Sequence, residues 1–92
     1  MRVTVEYMAQ IKRAAGTGRE EIELPDGTLL SDALTQLAES HGDPLAGMVL
    51  DGEGKPITSL LLFLGDEQVR LEANPTLTDG AQLTISTPIS GG

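Results

Sequence analysis

The chain has 92 residues, with 14 acids against 6 bases and a net charge of −8. That is one small domain, and its acidity argues against a general nucleic-acid binder, because phosphate binding rests on Lys and Arg that release counterions. Docking on an anionic membrane surface is disfavoured for the same reason. With no cysteine, neither a disulfide, a thiolate metal site nor a Cys nucleophile is available.

Taken in chain order, Arg2 to Tyr7 alternates, with Val3, Val5 and Tyr7 on one face, and reads as a half-buried strand. Ala9 to Ala15 reads as a short helical turn, stopped by Gly16. Arg19 to Leu24 alternates again, and Pro25-Asp26-Gly27 carries turn chemistry. The clearest helix is predicted over Ser31–His41, with Ser31 as its cap, Asp32 at the positive end of the dipole and Gly42 as terminator. Leu30, Ala33, Leu34, Leu37, Ala38 and His41 then form one apolar stripe. Leu45 to Leu50 reads as an apolar connector and Asp51 to Pro56 as a polar loop.

Ser59 to Leu64 reads as a strand without alternation, which implies cover on both faces. Gln68 to Leu71 reads as a short edge strand, Asn74-Pro75 and Asp79-Gly80 as turns, and Gln82 to Thr87 as a final alternating strand. The order predicts an α+β domain with one main helix packed on one sheet. The longest apolar run, Leu60 to Leu64, is too short to span a bilayer, and no signal-peptide pattern opens the chain, so a cytoplasmic location is expected. Charge is uneven. Residues 1–19 carry four bases and one acid, whereas thirteen acids and two bases follow, a surface that favours a basic partner.

Motifs in the body of the chain fail on the residue that would do the chemistry. Gly16-Thr17-Gly18 begins like a dinucleotide loop, but Glu21 stands at the third glycine position. Gly47 and Gly52 have phosphate-loop spacing, but Glu53 stands where lysine is needed. The Asp51–Lys55 stretch resembles the start of a calcium loop, yet its twelfth position is Leu62. His41 is the only histidine and has no cluster of co-ligands, so no metal site is expected and a structural role at the helix end is preferred.

The last residues are different. Pro88-Ile89-Ser90-Gly91-Gly92 follows the last strand. Six residues from Thr87 extend about 20 Å, enough to enter another protein's active site. The two glycines fit a narrow channel, and a terminal carboxylate, ionised at neutral pH, can attack the α-phosphate of ATP.

Leu77-Thr78-Asp79-Gly80-Ala81-Gln82-Leu83-Thr84-Ile85-Ser86-Thr87-Pro88-Ile89-Ser90-Gly91-Gly92 resembles the C-terminal signature of the MoaD/ThiS family of ubiquitin-like sulfur carriers. The likeness extends over nearly the whole chain, including the Leu24–Thr28 turn. Ala81 stands where the family has an acid, Thr87 replaces the first proline, and Gly65 stands where Asn is common. Phe63 to Arg70 is similar to the corresponding stretch of the carrier used in bacterial cysteine synthesis.

The resemblance implies a β-grasp: a mixed sheet of four to five strands on one main helix over residues 1–87, and a flexible tail over residues 88–92. It implies a carrier rather than an enzyme. An E1-like enzyme would adenylate Gly92 with its own ATP, no cofactor being bound by the carrier. Sulfur would replace AMP, and Gly91 and Ser90 would serve as the leash. The acceptor would be a synthase of the molybdopterin, thiazole or cysteine type. Phe63, Leu61 and Met8 are the expected partner-binding residues, with Asp66, Glu67 and Arg70 as candidates for a polar rim. Three alternatives stand beside it: the small subunit of molybdopterin synthase specifically, a protein modifier joined to target lysines, and a non-covalent β-grasp binding module.

Overall fold

The computed structural model describes residues 1–87. Arg2–Tyr7 forms β1, and its odd positions Val3, Val5 and Tyr7 are buried as the alternation requires. Ala9–Ala15 forms α1, seated by Ile11. It ends at Gly16, whose φ of 77° is strained for any residue with a Cβ and whose N–H donates to the Lys12 carbonyl at 3.1 Å. Arg19–Glu23 forms β2, antiparallel to β1 with Val3 opposite Ile22 and Val5 opposite Glu20.

The long helix α2 runs over Leu30–His41. Leu30, Ala33, Leu34, Leu37 and Ala38 are all buried, and this stripe meets Val3, Val5, Leu62, Leu83 and Ile85 of the sheet in one core. Each fully buried Leu contributes about 1.5–3 kcal/mol. The start of the helix differs from the expectation. Ser31 is not the cap; it lies inside the first turn, and its N–H donates to Asn74 Oδ1 at 2.9 Å. The Leu30 N–H donates to the Pro75 carbonyl at 2.9 Å. The helix therefore begins one residue earlier, with Leu29 as cap, and a turn more than forty residues away in sequence satisfies the free N–H groups of Leu30 and Ser31.

The apolar connector after Pro44 also proves to be a helix, α3, over Leu45–Val49, because Leu45 and Val49 are one turn apart and both point into the core. The second half of the chain completes the sheet with β3 (Leu61–Leu64), β4 (Glu67–Val69) and β5 (Gln82–Ser86), with a 3-10 turn over Leu71–Ala73. The turn between β3 and β4 is Gly65-Asp66, since Leu64 pairs with Glu67. Gly65 has a φ of 61°. Glycine adopts that left-handed region without strain, and Asn tolerates it better than most side chains.

Strand order is β2-β1-β5-β3-β4, with β1 and β5 parallel at the centre and the other pairs antiparallel. A five-stranded mixed sheet with its main helix on one face is the β-grasp arrangement the resemblance implied. No helix among the described residues is long and apolar enough to cross a membrane.

Candidate functional site

The helices cover one face of the sheet, and the register fixes what the other face carries. Phe63 stands opposite Thr84 of β5 and Gln68 of β4, and Thr84 stands opposite Glu6 of β1, which pairs with Arg19 of β2. Leu61 stands opposite Ser86. Leu61 and Phe63 are half-buried, while Leu62 between them is 1% exposed and belongs to the core. The two-sided cover expected for this strand is therefore supplied on one side only among the described residues. A strand shows no alternation when its outward positions are also apolar, whether or not the same chain covers them.

Met8 follows Tyr7 in extended geometry (φ −122°, ψ 156°), so its side chain turns to this open face. At 49% exposure it is the one large hydrophobic residue exposed among the described residues. Its N–H donates to the Ile85 carbonyl at 3.0 Å, which places it beside the end of β5. Two strand spacings separate Met8 from Leu61, about 10 Å, and a two-residue step along β3 separates Leu61 from Phe63, about 7 Å. The structure thus gathers the three predicted partner-binding residues into one patch, at the end of the sheet from which Thr87 leaves. Ser90, Gly91 and Gly92, together with the proposed tail over residues 88–92, lie outside the described residues.

Asp66, Glu67 and Arg70 are exposed and make no ion pair among the described residues. The open-face positions Glu6, Gln68, Thr84 and Ser86 were not singled out from sequence. Strand parity alone would have found them, once the register was known. In the polar loop, Asp51 Oδ1 accepts N–H bonds from Glu53 (2.8 Å) and Lys55 (3.1 Å). Those bonds hold the Asp51 carboxyl below its ordinary value.

A second polar cluster lies on the helix side. Glu20 shares the inward parity of Ile22, and the sequence reading did not weigh it. The Tyr7 hydroxyl donates to Glu20 Oε1 at 2.8 Å, and His41 Nε2 lies 2.9 Å from the same oxygen. The rings of Tyr7 and His41 meet edge to face with centroids 5.8 Å apart. Burial pushes the Tyr7 hydroxyl far above its ordinary value, and the hydrogen bond to Glu20 and the charge of Glu20 push the same way. Glu20 thus satisfies a buried hydroxyl and ties the end of α2 to β1 and β2. It acts as a structural clamp.

The open sheet face with its apolar patch beside Thr87 is the candidate site, and comparison with known proteins places the chain in a family. The ThiS family model matches residues 5–92. The chain belongs to the ThiS family. Across all 92 residues, and all of the relative's length, it is 32% identical to the molybdopterin synthase sulfur carrier subunit of Chlamydomonas reinhardtii. Small archaeal modifier protein 1 of Haloferax volcanii has the same fold, with a TM-score of 0.86 at 21% identity over the whole of both chains. A complex of subunits 1 and 2 of the molybdopterin-converting factor from Helicobacter pylori contains a chain that matches with a TM-score of 0.61 at 18% identity, again over both full lengths. The family is that of the MoaD/ThiS ubiquitin-like sulfur carriers.

Proposed function

We propose that the chain carries sulfur as a thiocarboxylate on Gly92 and serves as the small subunit of a molybdopterin synthase. A carboxylate oxygen of Gly92 attacks the α-phosphorus of ATP held by an E1-like enzyme, and pyrophosphate leaves. Hydrosulfide then attacks the acyl carbon, the acyl C–O bond breaks with its electron pair leaving on AMP, and a proton is released. The thiocarboxylate sulfur bonds to an electrophilic carbon of a precursor in the synthase's large subunit as that carbon's leaving group departs, and water then cleaves the acyl C–S bond, leaving sulfur on the precursor and returning the carrier to the carboxylate form. Gly91 and Ser90 act as the leash, because residues without bulk pass a narrow channel.

The observation that carries this reading is the family match running to residue 92, with Ser90-Gly91-Gly92 at its end. The relative named as a molybdopterin synthase subunit supports the choice of acceptor over the thiazole and cysteine types. The patch of Met8, Leu61 and Phe63 supports docking through the open sheet face, since apolar positions that the fold leaves only partly covered suit a partner's apolar surface.

Intact mass after incubation with an E1-like enzyme, ATP and sulfide tests the chemistry. The expected gain is one sulfur less one oxygen, absent when Gly92 is deleted. Isopeptide-linked products on target lysines, without that gain, would replace this reading with the modifier. An unchanged mass with several competent enzymes would leave the non-covalent module.

A further inference from the structure

The outer face of α1 is cationic in a chain that is otherwise strongly acidic. Ala9, Lys12, Arg13 and Gly16 fall at the i, i+3, i+4 and i+7 positions of one helix face, and with Thr17 they line an open hollow of about 520 Å³. No acid lines it. Lys12 and Arg13 are exposed, and no carboxylate among the described residues makes an ion pair with either of them or with Arg19. The Lys12 stem lies across Gly18, where an added Cβ would meet its Cε at 3.0 Å, so the turn into β2 guides that side chain. Three of the six bases of the chain therefore stand at or just beyond one short helix. Elsewhere Arg2 faces Glu21 and Glu23, Lys55 follows Asp51 and Glu53, and Arg70 stands alone between Glu67 and Glu72 in sequence.

The position of this face matters more than its charge. Met8, the exposed member of the apolar patch, immediately precedes α1, and its N–H donates to the Ile85 carbonyl near the end of β5. The cationic face is thus continuous with the docking patch and with the point where the chain leaves the sheet. We infer that Lys12 and Arg13, supported by Arg19, dock on a carboxylate-bearing surface of the activating enzyme beside the channel that receives the tail. This inference rests on the carrier reading. The overall acidity points to a basic partner, but at this end of the molecule the complement is acidic. An acidic protein surface fits better than a free phosphate, because the hollow is open and continues an apolar patch instead of enclosing a ligand with backbone N–H groups. Such a contact orients the encounter: a carrier of net charge −8 is repelled by carboxylates over most of its surface and least at the base cluster of α1, so the tail arrives pointing at the channel.

The test is ATP–pyrophosphate exchange by the E1-like enzyme, with the full-length carrier as varied substrate. The double variant Lys12→Gln/Arg13→Gln is compared with Arg2→Gln/Lys55→Gln, which removes the same two charges elsewhere. At low ionic strength the α1 variant should raise the KM for carrier about fivefold to tenfold, with kcat unchanged, and the effect should shrink below about twofold at about 0.5 M salt. The control should stay within about twofold of the parent protein throughout. Equal effects of the two variants would overturn the inference and leave the carrier reading standing, as would a rise in the KM for ATP instead of the carrier, which would assign the cations to nucleotide phosphate. If the unaltered chain supports no exchange in any competent enzyme, the carrier reading falls and this inference falls with it.

Discussion

Removing the Tyr7 hydroxyl tests the clamp between α2 and the sheet. Tyr7 is 1% exposed, and its hydroxyl donates to Glu20 Oε1 at 2.8 Å. A hydrogen bond to a charged group is worth about 1.5–3 kcal/mol. The Glu20 side chain retains 27% exposure, which places the value near about 1.5 kcal/mol, since water screens and replaces part of the contact. Tyr7→Phe should therefore lower Tm by about 6–12 °C in a domain of this size. Glu20→Ala should cost more, about 2–3 kcal/mol, because it strands the buried hydroxyl and also deprives His41 of its partner. A double-mutant cycle should return a coupling of about 1.5 kcal/mol between the two sites. Far-ultraviolet circular dichroism under urea is the assay, the chain having no tryptophan.

The same pair sets a pH dependence. The folded state holds the Tyr7 proton well above the ordinary value of 10.0, so the unfolded chain loses it first. The stability it contributes is complete below pH 10 and falls as the pH rises further, by about 1.4 kcal/mol per pH unit. Tyr7→Phe lacks this fall. Tyr7 is the only tyrosine, so ultraviolet absorbance of tyrosinate reports it directly and should appear only with unfolding. A coupling under about 0.5 kcal/mol, or a tyrosine that ionises near pH 10 in the folded chain, would refute the clamp.

Two further outcomes follow from the geometry. Asn74→Gly keeps the left-handed φ of 40° while removing the side-chain acceptor for the Ser31 N–H, so it should cost about 1 kcal/mol in urea denaturation; no loss would show that water caps α2 equally well. Phe63→Asp places a charge on the open face without touching the core, so it should weaken binding to the synthase's large subunit by about 30-fold or more in calorimetry, with a small change in Tm; full affinity would move the interface off this face.

Much of this fold is legible in the residues. The period of two in Arg2–Tyr7 and Gln82–Ser86 and the 3.6 period of α2 follow from which side chains must leave water, a property each segment carries by itself. The terminal Ser90-Gly91-Gly92 needs no fold to be noticed. Other features depend on what a segment meets. Leu45–Leu50 carries too few residues for a periodic signal, and only contact with the core makes α3 a helix. Ser31 loses the capping role because Asn74 and Pro75, distant in sequence, accept from the Ser31 and Leu30 N–H groups and let the helix start one residue earlier. Glu20 is charged on an inward parity, tolerable only where Tyr7 and His41 converge on it. Whether Leu61, Phe63 and Met8 are core or surface was likewise decided in three dimensions. One chain of this length has a single main helix to spend on a five-stranded sheet, so one face stays open, and strand register chooses which apolar residues stand on it.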